Sequence, residues 1–287
     1  MSGKFENIFI ASDLDGTYFN SKTETVARNI ERVKYFCENG GRFTFATGRL
    51  PLFIKRPIPD ARAQVNFPAV MGNGTCLFDY QSERAIEEHF LNTALLAEVE
   101  SFIAGISGVE AGLRATYDKG VTFSNIVNET LKREYDTFPE YVERVVCSAR
   151  EWGGYRLYKA NIRGKADAIE ALYPYVEKEF SGVLSVTRSA RTMIELMPYG
   201  TSKAAMLQGV KEKYFNNEIM LCTVGDYDND LAMHAISDLS VCPSNANDRV
   251  KSVCKLQLCS NDDGVIADLV DYFDMNKSYT EYINEVR

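Results

Sequence analysis

A short apolar run that breaks off in acids constrains this chain more than any other feature. Residues 7–12, Asn-Ile-Phe-Ile-Ala-Ser, are β-rich, and Asp13-Leu14-Asp15-Gly16-Thr17 follows directly. A run of this length bounded by polar residues reads as a buried strand. In an open α/β sheet, ligands bind just beyond the carboxyl ends of the strands. Two carboxylates at spacing two repel one another there unless a cation or a proton separates them. Mg²⁺, which takes hard oxygen ligands, is the simplest such partner. An acidic turn after a strand is also ordinary turn chemistry, so the pair alone does not decide the matter.

Three further polar clusters follow in an order that makes chemical sense. Thr47-Gly48-Arg49 comes after the strand-like run 42–46, and Ser202-Lys203 opens a helix-like stretch. Gly225-Asp226-Tyr227-Asp228-Asn229-Asp230 comes after the apolar run 219–224. Between the first two clusters, Val26, Ile30, Val33 and Phe36 mark one face of a helix that Gly40-Gly41 ends. Strand, helix and strand within this span make a βαβ unit, which implies a parallel sheet. The ordered set resembles the haloacid dehalogenase superfamily of phosphohydrolases, and within it the Cof-type branch, whose large cap is inserted between the second and third motifs. Ser244-Asn245-Ala246 and Asp262-Asp263-Gly264-Val265 match patterns of that branch beyond the last acidic motif. The resemblance implies a Rossmann-like α/β core over 1–84 and 196–287, carrying an inserted α+β cap over 85–195 that selects the substrate.

Composition sets outer bounds. The chain has 287 residues with 45% hydrophobic and 25% charged content, enough for a large core in one or two domains. Asp+Glu 40 against Lys+Arg 32 gives a net charge of -8, which speaks against a nucleic-acid partner. No apolar stretch approaches the roughly 18 residues that span a bilayer, and the first residues lack a signal-peptide layout. Seven scattered cysteines without a Cys-x-x-Cys argue against a disulfide framework or a zinc site. These features lead us to expect a cytoplasmic protein without a membrane partner.

Inside the insert, Leu95, Leu96, Val99, Phe102, Ile103 and Ile106 predict a helix capped by Asn92 or Thr93. Residues 155–163 predict a half-exposed strand, Ala166 to Val176 a helix, and 183–187 and 192–197 further strands. Polar residues at these strand ends form no cluster like those outside. Tyr117, Tyr135, Phe138 and Tyr141 show no period, so 117–149 carries no assignment. After Pro198 the α/β alternation resumes, with helices predicted over 202–214, 229–236, 248–253 and 265–273.

Phosphoryl transfer needs a nucleophile, charge neutralisation and a proton source. Asp13 is the expected nucleophile, forming an aspartyl-phosphate. Asp15 is expected to protonate the leaving alcohol and then deprotonate the hydrolytic water; the family implies the same roles. The resemblance also implies Mg²⁺ held by Asp13, Asp226 and the backbone carbonyl of Asp15. Thr47 is expected to bond a phosphoryl oxygen, Gly48 to permit close backbone approach, and Lys203 to add fixed charge. Arg49 and Asn229 are candidates for substrate contact, and Asp230 for holding Lys203 or a metal-bound water. Taken singly, each also reads as a turn, a cap or a surface charge. Asn73 is most simply a turn residue before Gly74; His89 and His234 lack the partners that catalysis needs. The family points to a small phosphorylated metabolite, sugar phosphates among them. Two rivals stay open: a phosphomutase of the same superfamily and a receiver-like signalling domain. The second sits poorly with Asp15 and the long insert.

Overall fold

The computed structural model describes residues 3–58, 60, 63–106, 111–116, 121–137 and 143–275. Tyr117, Phe138 and Tyr141 lie outside the described residues. Five parallel strands form the central sheet, in the spatial order Leu256–Leu258, Leu239–Pro243, Met220–Val224, Ile8–Ser12, Arg42–Phe45. The first strand is therefore interior, next to the central strand Met220–Val224. The chain leaves it to one side towards Arg42–Phe45 and returns on the other at Met220–Val224, so the sheet reverses direction between the first strand and the strand that follows the insert. That reversal opens a crevice at the carboxyl ends, where such sheets bind ligands.

Period-two alternation fixes the layers. Ile10, Phe43, Phe45 and Val224 face one core cluster with Val33 and Phe36 of helix Ala27–Glu38 and Val265 and Leu269 of helix Val265–Asp274. Phe9, Ala11 and Leu221 face the opposite cluster with Leu207 and Val210 of helix Lys203–Phe215. Each large apolar side chain buried this way contributes about 1.5–3 kcal/mol, and burial on both faces explains why these strands are short continuous apolar runs.

A second, mixed sheet of six strands forms the cap. Its order is Leu184–Ala190, Met193–Pro198, Ala160–Gly164, Ala111–Thr116, Val121–Ser124, Glu143–Val146, antiparallel except for the last pair. Leu113, Ala115, Ile162, Ile194 and Leu196 pack on Leu96, Val99, Ile169 and Leu172 of helices Thr93–Ala104 and Ala166–Phe180. A small antiparallel sheet, Ala69–Met71, Cys76–Asp79 and Arg84–Glu88, adjoins the core. The lines drawn at 84/85 and 195/196 thus fall within strands Arg84–Glu88 and Met193–Pro198.

Most predicted elements form, with shifted ends. The strand expected over 155–163 is confined to Ala160–Gly164, and the helix expected over 229–236 is a 3₁₀ turn, Asp228–Asp230, leading into Leu231–Ile236. Strands Ala111–Thr116, Val121–Ser124, Glu143–Val146 and Leu256–Leu258 and helix Glu129–Thr137 have no counterpart in the sequence reading. The cap runs among them mix small, polar and β-branched residues, and Leu256–Leu258 is too short to show a period.

Candidate active site

The register brings three motifs to one level. Ser12 pairs with Val224 on one side and with Phe45 on the other, so Asp13, Thr47 and Asp226 emerge from neighbouring strand ends. The Asp13 N–H continues the ladder by donating to the Val224 carbonyl at 2.8 Å. Gly16 then turns at φ +74°, and a Cβ there would lie 2.5 Å from Asp226 Oδ2. A side chain at that turn would push the two acidic motifs apart. Gly225 plays the same part for Asp230, whose Cγ lies 2.4 Å from where a Cβ would be built.

Lys203 stands at the first turn of its helix, an unfavourable place for a cation against the helix dipole. Ser202 caps that helix, its Oγ accepting from the Ala205 N–H at 3.0 Å. The Lys203 ammonium is buried and donates to Asp13 Oδ1 at 2.6 Å and Asp230 Oδ1 at 2.7 Å. Burial alone would lower its pKa; the carboxylates of Asp13 and Asp230 outweigh that and raise it. Asp230 is fully committed, since its Oδ2 also accepts from the N–H groups of Asp226 and Tyr227.

Asp13, Asp226 and Asp230 each offer a carboxylate oxygen within 4.8 Å of the others. Burial pushes the Asp13 carboxyl up to about 7, with Lys203 pulling it back and Asp230 and Asp15 adding to the rise. Burial, then Asp13 and Asp230, push Asp226 up to about 8, against Thr17, whose hydroxyl donates to it at 3.2 Å, and Lys203. One ammonium among three clustered acids leaves negative charge uncompensated. With Asp230 occupied, Asp13 and Asp226 are the side chains free to take a cation. Their donors are all oxygens, which fits Mg²⁺ and not the N/S preference of Zn²⁺.

The remaining expected residues divide. Thr47 is buried at the cavity, its Oγ1 accepting from the Arg49 N–H at 3.1 Å. Asp15 lines the cavity too, but its carboxylate is held by Arg49 in a two-point pair, Nε to Oδ2 at 2.7 Å and Nη2 to Oδ1 at 2.5 Å. Asn229 donates to Asn73 Oδ1 at 3.3 Å. Asn73 is more than the turn residue expected: at φ +58° it turns the chain, and its Nδ2 donates to the buried Glu195 at 2.5 Å. Glu195 belongs to the cap. Lys159, also from the cap, pairs with Glu195 and donates to the Gly48 carbonyl, so Gly48 serves here as a docking point for the cap. Burial would raise the Glu195 carboxyl, yet Lys159 and the hydrogen bond from Asn73 hold it below the usual range.

A cavity of about 520 Å³ lies between these core acids and the cap sheet. Arg114, Lys159, Asn161, Arg163, Arg191 and Glu195 line its cap side. The sequence reading missed all six, because it sought clusters at strand ends. Arg114, Asn161, Arg163 and Glu195 lie instead mid-strand on one sheet face, alternating with the core-facing Leu113, Ile162 and Ile194. Within the expected strands 155–163 and 192–197, that alternation is the signal that could have found Asn161, Arg163 and Glu195. Burial, and then the charge of Arg114, lower the Arg163 guanidinium to about 9.

A doubly wound core with an acidic crevice under an inserted cap is the architecture of a haloacid dehalogenase-like hydrolase. The sequence model of that family matches residues 10–270, and the chain belongs to it. It is 24% identical over 281 residues to the 5-amino-6-(5-phospho-D-ribitylamino)uracil phosphatase YwtE of Bacillus subtilis strain 168, covering 91% of this chain and 96% of the relative. It is 25% identical over 268 residues to the pyridoxal phosphate phosphatase YbhA of Escherichia coli K12, covering 91% and 96%. Among solved structures it is similar to SMU.1108c from Streptococcus mutans UA159, with a TM-score of 0.81 at 22% identity over 93% of this chain and 99% of that one.

Proposed function

We propose that this chain is a Mg²⁺-dependent phosphomonoesterase acting on a small phosphorylated metabolite, such as a sugar phosphate, in a cytoplasmic setting. The observation that carries the reading is the buried Lys203 clamped between Asp13 and Asp230, with Asp226 alongside, at the open end of the sheet. The two named phosphatases among the relatives support it. The proposal includes a division of labour between a catalytic core, essentially 1–84 and 196–287, and a cap, essentially 85–195.

Asp13 attacks phosphorus through the carboxylate oxygen not engaged by Lys203; the P–O bond to the leaving group breaks as the Asp13 O–P bond forms. Lys203 and Thr47 stabilise the phosphoryl oxygens by charge-assisted and hydroxyl hydrogen bonds. Asp15 supplies the proton that the leaving alkoxide takes up. It then accepts a proton from the water that attacks the aspartyl-phosphate, releasing inorganic phosphate and restoring Asp13. For both steps Asp15 must let go of Arg49, which holds it at the cavity mouth. Asp230 positions Lys203, and Asn229, with Asn73, fixes the loop that bears Asp226. Asp13, Asp226 and the Asp15 carbonyl would hold Mg²⁺, which would supply positive charge against the repulsion between phosphate and carboxylate.

The test is Asp15→Asn assayed on two leaving groups. A nitrophenolate leaves without a proton, so aryl phosphate should still phosphorylate Asp13, and the adduct should persist for want of a base. Intact mass should then show a gain of about 80 Da, one phosphoryl group. An alkyl phosphate should give neither adduct nor phosphate. Equal loss on both substrates with no adduct removes Asp15 from the mechanism. Phosphate release by the wild type, rather than isomer formation from a sugar phosphate, separates the hydrolase from a phosphomutase.

A further inference from the structure

Asn73 stands where the loops of the site and the cap meet. Its N–H donates to the Thr47 carbonyl at 2.9 Å, and the Gly72 N–H donates to the Arg49 carbonyl at 2.9 Å, which fastens this turn to the Thr47-Gly48-Arg49 loop. On its other side the turn lies against the start of the Lys203 helix. A Cβ at Gly74, whose φ is +93°, would lie 2.1 Å from the Ser202 carbonyl oxygen. The Asn73 side chain is 2% exposed and reaches in two directions. Its Nδ2 donates to Glu195 of the cap at 2.5 Å, and its Oδ1 accepts from Asn229 Nδ2 at 3.3 Å. Asn229 belongs to the 3₁₀ turn Asp228–Asp230 that follows Asp226.

A carboxamide donates at one end and accepts at the other, whereas an ionised carboxylate only accepts. Lys159 pairs with Glu195 and keeps it ionised, where burial alone would favour the protonated acid. Glu195 therefore decides which end of Asn73 faces which partner. The reversed amide would set an oxygen against the carboxylate and an NH₂ against the NH₂ of Asn229, and buried groups mismatched in this way lose both bonds. The turn that Asn229 anchors also carries Asp230, whose Oδ2 accepts from the Asp226 N–H at 3.0 Å. Cap, Asn73, turn and the backbone of Asp226 are thus joined in sequence. We propose that Asn73 is a positioning residue in this line, through which the Lys159–Glu195 pair of the docked cap holds the acidic turn so that Asp226 is placed to take a metal ion. This rests on the phosphomonoesterase reading only for the identity of the metal. Such coupling is reciprocal: a cation at Asp226 tightens the cap by the same factor by which the cap tightens the cation.

Mg²⁺ titration calorimetry on the full chain, without substrate, reads the coupling apart from turnover. Asn73→Gly keeps the positive φ of the turn, +58°, and removes the amide. It should weaken Mg²⁺ binding about fivefold, the factor typical of one lost hydrogen bond. Glu195→Gln should weaken it about threefold, and the same substitution placed on Asn73→Gly should change it by less than about 1.5-fold. That non-additivity separates coupling through Asn73 from the general loss of a negative charge, which would act equally in both backgrounds. Should Asn73→Gly fail to fold, Asn229→Ala breaks the same line and completes the same cycle with the same expected values. Unchanged affinity in Asn73→Gly, an equal effect of Glu195→Gln in both backgrounds, or a wild type that binds no Mg²⁺ overturns the proposal. Aryl phosphate hydrolysis by the wild type is scored separately: its absence refutes the phosphatase reading while the Mg²⁺ affinities still decide the coupling.

Discussion

The floor and the roof of one cavity are built on opposite plans. The floor uses loops that leave adjacent parallel strands at the same level, so its acids come in tight local clusters and share one buried lysine. The roof draws its charges from three segments of an antiparallel region, Arg114 alone, Lys159 with Arg163, and Arg191 with Glu195, each pair four residues apart. Loops at strand ends place several groups around one atom, as bond-making requires. A sheet face spreads groups across an area, which suits recognition of a substrate body. The comparison predicts that core substitutions abolish chemistry or folding, while cap substitutions shift selectivity.

The largest effect belongs to Asp13. Asp13→Asn should lower turnover by at least about 10³-fold, as removal of a nucleophile does, with an unchanged far-ultraviolet circular dichroism spectrum. Retention of more than a few per cent of activity breaks the covalent scheme. Next come two lysines, the buried Lys203 of the floor and the part-buried Lys159 of the roof. Lys203→Met strands two buried carboxylates and should cost about 3–5 kcal/mol in urea unfolding. Lys159→Met strands only Glu195, which keeps its hydrogen bond from Asn73, and should cost about 1.5–3 kcal/mol. Equal losses would erase the distinction between floor and roof.

A pH series sharpens the contrast further. The folded protein holds protons on Asp13 and Asp226 up to about 7 and about 8, where the unfolded chain, with ordinary values near 3.8, has lost them. Stability from these groups in chelator is therefore present at acid pH and is lost as pH rises from about 4 towards 8. Asp226→Asn removes one of the two, so in chelator its melting temperature relative to wild type should climb across that range. The variant should stand above wild type by roughly a few degrees at pH 8. Mg²⁺ should reverse the order by stabilising only the wild type. A difference that stays flat from pH 5 to 8 would show that burial does not hold a proton on Asp226. The smallest effect is expected at the rim. Arg49→Lys keeps the charge but loses the two-point hold on Asp15. It should alter alkyl phosphate turnover about two- to fivefold more than aryl phosphate turnover, because only the former depends on Asp15 as an acid.

The four motifs, their order and the βαβ start were legible because each depends on neighbours in the chain. A strand buried on both faces is an uninterrupted apolar run, and a turn that must admit a carboxylate needs glycine, as at Gly16 and Gly225. Lys203 was legible as a misplaced helix-terminal cation, and its burial between two acids supplies the reason. Strand Ala111–Thr116 was not legible, since an arginine set among alanines and a glycine satisfies no single period. It forms because neighbouring strands pair with it and the cap helices cover Leu113 and Ala115. By itself the sequence determined the layered α/β core, the family, and which acids and lysine gather at the floor. Only the tertiary structure decided that Asp15 rests on Arg49, that Asn73 and Glu195 join core to cap, and that three arginines meet over the acids. Those pairings span tens to hundreds of residues, and it is sheet register and cap docking, not local propensity, that bring them within reach.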